Sequence, residues 1–195
     1  VLLALGGGSW PQLGSDGAWQ ELLGERGVAV APLAPSNCGF DVAWSPYFAT
    51  RHAGAPLKPV IAHWRDAAGV EHALQGECVV TTTGIEGSLV YALSAELRDA
   101  IARHGTATLH LDLAPGRSPE RLREELSSAR GARSISEHLR RKAGIEGAKA
   151  ALAEHPGHHG HSSLFSVLVV HLFSSSIATA AAQQIERASL AGFLL

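Results

Sequence analysis

Apolar residues recur along the middle of the chain with two spacings, and these spacings separate expected strands from expected helices. Residues 106–113 alternate between apolar and polar, which predicts a half-buried strand. Segments 59–64 and 70–83 are expected to be further strands, separated by a turn at Gly69. One long helix is expected between Ser88 and Gly105, because its apolar residues recur at helical spacing. These residues are Leu89, Val90, Leu93, Leu97 and Ile101.

The first 33 residues predict the order strand, loop, helix, strand. The apolar run at 1–5 suits a strand buried on both faces, and 28–33 suits a second strand. Ser15 or Asp16 is a favourable N-cap for the intervening helix, and Gly27 suits the left-handed position that ends it. The expected buried face of this helix carries Trp19, Leu22 and Leu23.

Residues 114–155 predict three short helices. The serine–proline–glutamate run at 118–120 combines a cap, a proline at the first helical position and an acid in the first turn. A second helix is expected to begin at Ser134 or Ser136, and a third to cover 146–154. The expected apolar contacts of the first two helices are Leu122, Leu126 and Leu139.

On this basis the chain divides into four segments. The first, 1–34, mixes strand and helix; 35–113 is rich in strands with one helix; 114–155 is helical; 156–195 is an atypical tail. The tail contains an apolar run, 164–173, that is short of the roughly 20 apolar residues of a membrane span. Serine and histidine residues also interrupt it. We therefore expect a buried strand or helix there rather than a membrane span.

Composition excludes several classes of protein. The chain has 195 residues, of which 46% are hydrophobic, so intrinsic disorder is not expected. Its formal net charge of -2 argues against a nucleic-acid-binding protein. Cys38 and Cys78 are too few for a disulfide scaffold; they could form one bridge, but two buried free thiols in a reducing, cytoplasmic compartment are the preferred interpretation.

A glycine-rich loop, 6–17, is the strongest local signal. It lies between an expected buried strand and the start of a helix, where backbone N–H groups can approach a phosphate. It is neither a G-x-G-x-x-G fingerprint, because Pro11 occupies the third glycine position, nor a P-loop, because no lysine follows Gly14. From the residues alone, a phosphate site and a turn without a ligand are about equally supported.

Other constellations favour structural roles. The histidines at 155–161 lack a fixed set of three ligands, so we expect a solvated loop and no metal site. A G-x-S-x-G nucleophile elbow is absent from the sequence, and Ser88 suits a helix cap instead. The four tryptophans are expected mainly in the core, although Trp10, beside the glycine loop, could line a ligand site. Glu86 is the nearest candidate for an acid or base, but a surface turn suits it better.

Two motifs resemble signatures of a bacterial flavoprotein family. The first is Ala-Leu-Gly-Gly-Gly-Ser-Trp-Pro at 4–11 with Gly-Ser-Asp-Gly at 14–17, and the second is Gly-Glu-Cys-Val-Val-Thr-Thr-Thr-Gly-Ile-Glu-Gly at 76–87. They are similar to motifs of the NAD(P)/FAD-dependent oxidoreductases related to the bile-acid-inducible flavoprotein, some of which are called aminoacetone oxidases. The second motif departs from the family pattern, with Glu86 in place of a serine and Ser88 in place of a proline.

The resemblance implies an α/β fold: the end of a Rossmann-type FAD-binding domain, then a β-barrel-like insert and a small helical insert. It also implies an FAD cofactor, NADH or NADPH as an electron donor, and a small-molecule substrate. No catalytic residue is assigned. The residues implied to lie near FAD are Gly6, Gly7, Ser9, Pro11, Gly14, Ser15 and Gly17.

Under this resemblance the chain is an internal fragment of an oxidoreductase. The strand–turn–helix that grips the cofactor pyrophosphate would precede Val1, and the family's C-terminal flavin motifs are absent from 156–195, as in a truncated or frame-shifted end. We therefore expect the chain alone to bind FAD weakly or not at all, and to be inactive. The alternative is a non-enzymatic α/β binding module without a cofactor.

Overall fold

The computed structural model describes residues 2–154 with their side chains and residues 167–173 as backbone. The chain divides into two compact units, Val1–Ser36 and Asn37–Leu195. The first unit carries the glycine-rich loop, and the second carries the strands and most of the helices.

The first unit consists of a tight turn followed by one short helix. A 3-10 turn, Pro11–Leu13, is enclosed by Trp10 and Ser15, whose backbones exchange two N–H···O bonds of 3.0 Å. Helix α1, Trp19–Gly24, follows this turn. The chain reverses after the helix at Gly27, whose φ of 73° is the left-handed conformation expected from the sequence.

The prediction of two strands in this unit is wrong. The described parts of segments 1–5 and 28–33 belong to no strand, and Leu2 is 94% exposed. An apolar run forms a strand only where a partner strand takes up its backbone hydrogen bonds, and none of the described residues of this unit does so. Leu22, expected on the buried face of the helix, is 55% exposed, and Trp10, expected in the core or beside a ligand site, is 61% exposed. The described residues of this unit therefore show no Rossmann fold.

The second unit is built around six antiparallel strands that close into a barrel. In chain order they are β1 Phe40–Val42, β2 Pro56–Arg65, β3 Glu71–Val80, β4 Gly84–Glu86, β5 Ala107–Asp112 and β6 Val167–Phe173. Around the barrel the order is β1-β4-β3-β2-β5-β6, and β6 pairs with β1 to close it. The barrel expected from the family resemblance is therefore present.

The last strand of the barrel comes from the apolar run of the segment set apart as a tail. The backbone of β6 pairs with β5 from Ala107↔Leu172 to Asp112↔Val167 and with β1 at Asp41 and Val42. The expectation of a strand or helix at this place is confirmed for the strand. No helix among the described residues is long and apolar enough to cross a membrane.

Strand β5 follows the alternation expected from its sequence. Ala107, Leu109 and Leu111 are buried, and the residues between them are exposed or half-buried. Buried side chains of the other strands complete the barrel core: Phe40, Val42, Leu57, Val60, Ala62, Cys78, Val80 and Ile85. An alternating pattern thus buries one face of β5 and leaves the other available for solvent or helices.

Six helices accompany the barrel within the described residues. They are α2 Pro46–His52, α3 Ser88–Ala92, α4 Ser94–His104, α5 Pro119–Ser127, α6 Ile135–Ala143 and α7 Gly147–Ala153. Helix α2 is absent from the sequence-based prediction, although Ser45 and Pro46 form the same start signal as Ser118 and Pro119. Both serine side chains accept from the amide three residues on, at 3.2 Å.

The single helix expected from Ser88 to Gly105 is interrupted. Ser94 Oγ donates to the Tyr91 carbonyl at 2.8 Å and accepts from the Asn37 amide at 3.1 Å. A serine that bonds local backbone in this way competes with the regular helical ladder, so α3 and α4 are separate helices. The apolar residues predicted for the helix face are nevertheless all buried: Leu89, Val90, Leu93, Leu97 and Ile101.

The helical segment after β5 packs on the barrel through a lysine. The ammonium Nζ of Lys149, in α7, donates to the Pro59 carbonyl at 2.6 Å and the Leu113 carbonyl at 2.9 Å. Helices α5 and α6 are joined by buried His138, whose Nε2 lies 3.0 Å from the Leu126 carbonyl oxygen. Leu122, Leu126 and Leu139 are buried as predicted.

Candidate functional site

The glycine-rich loop is folded back on itself by side-chain and backbone hydrogen bonds. Ser15 Oγ accepts from the Gly7 amide at 3.1 Å, and the Gly17 amide donates to the Gly7 carbonyl at 3.1 Å. Gly6, Gly14 and Gly17 all have positive φ, so larger residues would be strained there. Of the predicted site residues, the structure thus brings Gly7, Ser15 and Gly17 together.

The remaining predicted residues of the loop lie on the 3-10 turn or beside it. Ser9 and Pro11 are exposed, and the Gly14 amide donates to the Pro11 carbonyl at 3.0 Å. The amides of Gly7, Gly14, Ser15 and Gly17 therefore already donate within the loop. In this conformation these four N–H groups are not available to cradle a phosphate.

Two other features of the first unit fit a bound polar group. A Cβ atom placed on Gly14 would have no neighbour within 4 Å, so the backbone there is open to close approach. The buried indole N–H of Trp19, in α1, has no acceptor among the described residues. At Gly8, a Cβ would lie 2.5 Å from a terminal methyl group of Leu33, a side chain that is 49% exposed and has room to turn away. The unpaired indole N–H therefore suits an oxygen atom of a cofactor, whereas the open backbone at Gly14 only permits a close approach and is shared with other glycines such as Gly131.

The glycines of the second motif are required by the barrel itself. A Cβ on Gly84 would lie 1.9 Å from the Phe40 carbonyl oxygen, because β1 and β4 approach closely. Gly87 has a φ of 114° and lies against the Cα of Cys78. It is also the N-cap of α3, so the prediction that Ser88 caps this helix is wrong. Glu86, which ends β4, is exposed.

A cavity of about 610 Å³, which we call the helix cleft, lies between α2 and the pair α6–α7. The α2 wall contributes Tyr47, Phe48, Arg51 and His52. The opposite wall contributes Ser136, Glu137, Arg140, Glu146 and Glu154. Sequence reasoning missed this cleft, because its walls are about 90 residues apart in the chain and α2 was not predicted.

The charges of the helix cleft are only partly paired. Both carboxylate oxygens of Glu137 accept from Arg140, at 2.8 and 2.9 Å, and this pairing lowers the pKa of Glu137. Glu154 accepts from the Ser136 hydroxyl. The ring of His52 packs at a tilt against the ring of Phe48, with centroids 4.9 Å apart, and burial together with Arg51 lowers the pKa of His52. The imidazole is therefore neutral at pH 7.

A second cavity of about 670 Å³ lies between α4 and the open ends of β2 and β5. Its rim includes Trp64, whose indole N–H donates to Glu96 and whose ring stacks on His72 at 5.3 Å. Asp66 accepts from His72 Nε2 at 2.8 Å. Asp66 also accepts from two backbone amides of its own turn, so its carboxylate is fixed in place.

The cysteines form no disulfide, and the histidines of the described part of the chain belong to no metal-binding cluster. Cys38 and Cys78 are free thiols, and burial raises the pKa of Cys78 to about 12, which keeps it protonated. Within residues 2–154, no cluster of metal-binding side chains has a suitable arrangement. The histidine-rich run at 155–161 lies outside the described residues.

An antiparallel barrel accompanied by a set of short helices defines the class of fold. Residues 34–188 match the family described as the HI0933-like protein barrel and H2TH domain, and the chain belongs to that family. Its members are related to FAD-dependent oxidoreductases, so this is a flavoprotein-related oxidoreductase domain. No curated protein matches the chain.

Proposed function

We propose that this chain is the barrel-and-helix part of an FAD-dependent oxidoreductase and that its glycine-rich loop contributes to the FAD site. The observation that carries the proposal is the family match over residues 34–188, with the loop motif at 6–17 upstream of it in the chain. FAD would supply the redox chemistry, with NADH or NADPH as donor and a small molecule as substrate. We place the protein in the cytoplasm, where its two thiols stay reduced.

The residues of the loop would bind and orient the cofactor rather than react with it. Gly14 would admit a close backbone contact, and Gly6 and Gly7 have only the Ser15 hydroxyl beside them. Ser15 Oγ, which now accepts from Gly7, could turn its own hydroxyl hydrogen toward a phosphate or ribose oxygen. Ser9, Pro11 and Gly17 complete the set that we assign to the FAD contact.

The loop amides support the alternative, a binding module without cofactor. Four of the predicted contact residues donate their N–H groups within the loop, so cofactor binding requires these bonds to be exchanged. Because each exchange loses one hydrogen bond to gain another, we expect only weak FAD binding by the chain itself.

Backbone NMR of the chain during FAD addition tests the proposal. We expect the amide signals of 6–17 to shift and flavin absorbance to change slightly. Gly14→Val should abolish these shifts, whereas Gly131→Val should not. Both glycines have positive φ and no neighbour within 4 Å of a Cβ, so the two variants carry similar backbone strain. The assignment is refuted if the loop signals do not shift at the highest FAD concentration that stays in solution. It is also refuted if Gly14→Val and Gly131→Val change the FAD-induced shifts equally.

A further inference from the structure

The helix cleft contains one guanidinium that no described carboxylate neutralises. Arg51 is exposed, lines the cleft and forms no ion pair with any residue in 2–154. The other guanidinium of the cleft, on Arg140, is held by both oxygens of Glu137. The guanidinium of Arg51 can therefore donate two parallel hydrogen bonds to a carboxylate that enters the cleft.

An aromatic ring lies on the same side of α2 as this guanidinium. Tyr47 precedes Arg51 by four residues, the spacing that places two side chains next to each other on one face of a helix. Both residues line the cleft, and Tyr47 is 71% exposed. A flat ring beside a free guanidinium offers a surface for a planar ligand that carries a negative charge at one end.

The opposite wall limits how much negative charge the ligand can carry. Glu146 and Glu154 form no ion pair with any described residue, so their carboxylates oppose a second negative charge in the cleft. His52 is neutral at pH 7 and adds no compensating charge, although it can still form a hydrogen bond. A monoanion is therefore favoured over a dianion such as a phosphate monoester.

We propose that the helix cleft binds a small planar monocarboxylate, with the carboxylate on Arg51 and the ring against Tyr47. The cavity of about 610 Å³ is within the range of small-molecule sites, which is roughly 300 to 1,000 Å³. All residues of this site belong to the second unit. The proposal does not rest on FAD binding, and each can fail without the other.

Titration of the full chain with benzoate, followed by calorimetry and NMR, tests this site. Three comparison compounds separate the contributions: benzamide removes the charge, phenyl phosphate adds a second one near pH 7, and acetate removes the ring. We expect benzoate to bind about tenfold more tightly than each. Arg51→Gln should weaken benzoate about tenfold, and Tyr47→Ala should weaken it severalfold.

Arg103→Gln is the matched control, because Arg103 is an exposed arginine of α4 that lines neither cavity. Circular dichroism would confirm that each variant is folded. The proposal is wrong if benzoate does not bind, if benzamide or phenyl phosphate binds as tightly, or if Arg103→Gln has the same effect as Arg51→Gln. If acetate binds as tightly as benzoate, the ring of Tyr47 does not contribute to binding, and the proposal of a planar ligand is wrong.

Discussion

Lys149 ties α7 to the barrel by two hydrogen bonds, and its removal should loosen that contact. Its ammonium bonds the carbonyls of Pro59 and Leu113, two residues 54 positions apart in the chain. Burial lowers the pKa of Lys149, while nearby Asp112 favours its charged form. The variant Lys149→Met keeps an unbranched side chain that reaches nearly as far, but leaves both carbonyls without this donor.

The size of the effect follows from the two hydrogen bonds. A charge-assisted bond contributes about 1.5–3 kcal/mol when buried, and less where water can replace the donor. Since one of these bonds is exposed and the other part-buried, about 1 kcal/mol each, or about 2 kcal/mol together, is expected. For a domain of this size that corresponds to a fall in Tm of roughly 4–8 °C.

Urea unfolding followed by tryptophan fluorescence measures this loss, and hydrogen exchange of the α7 amides shows where it occurs. Lys142→Met is the control, because Lys142 is an exposed lysine whose side chain bonds no described residue. We expect Lys142→Met to stay within about 0.5 kcal/mol of the unmodified chain. If Lys149→Met also stays within that range, the two carbonyl bonds do not hold α7 on the barrel.

Two further variants probe the barrel. Gly84→Ala should lower the free energy of unfolding by about 3 kcal/mol or prevent folding, because its Cβ would lie 1.9 Å from the Phe40 carbonyl oxygen. Gly24→Ala is the control. A Cβ there has no neighbour within 4 Å, so this variant should be close to neutral in the same urea assay. His72→Ala should bring the pKa of Asp66 back up toward its ordinary 3.8, because the hydrogen bond from His72 is the main cause that lowers it. Because the folded-state pKa of Asp66 is depressed, its contribution to stability is present above pH 3.8 and is lost as the pH falls through the lowered pKa. NMR titration of the carboxyl group measures this pKa. The same Asp66 pKa with and without His72 would refute the prediction.

Local signals in the sequence predict the regular elements well where the element depends on its own residues. The alternation of 106–113 predicts β5, and the serine–proline start predicts α5. The same serine–proline start at Ser45 and Pro46 begins α2 and carries equal information. Where another part of the chain decides the outcome, the local pattern fails: Ser94, bonded to Asn37, divides the expected helix.

The candidate sites depend still more on distant contacts. The glycine motif is visible in the sequence, but the bonds from Gly7 to Ser15 and from Gly17 to Gly7, which occupy its amides, follow from how the loop closes. The helix cleft brings α2 beside α6 and α7, and no local spacing relates Arg51 to Glu137. Charge and residue type indicate which groups can bind a ligand, but only the fold shows which of them are unpaired.

Closure of the barrel by β6 has a consequence for the order of folding. The hairpin β2–β3 joins neighbouring segments and can form early. Strands β1 and β5, by contrast, each lack one partner until β6 is available, and β6 follows every helix that lies within residues 2–154. Until Val167–Phe173 has been synthesised, both strands present unpaired edges on the ribosome. We therefore expect slow final closure and a tendency of nascent or C-terminally shortened chains to associate through these edges.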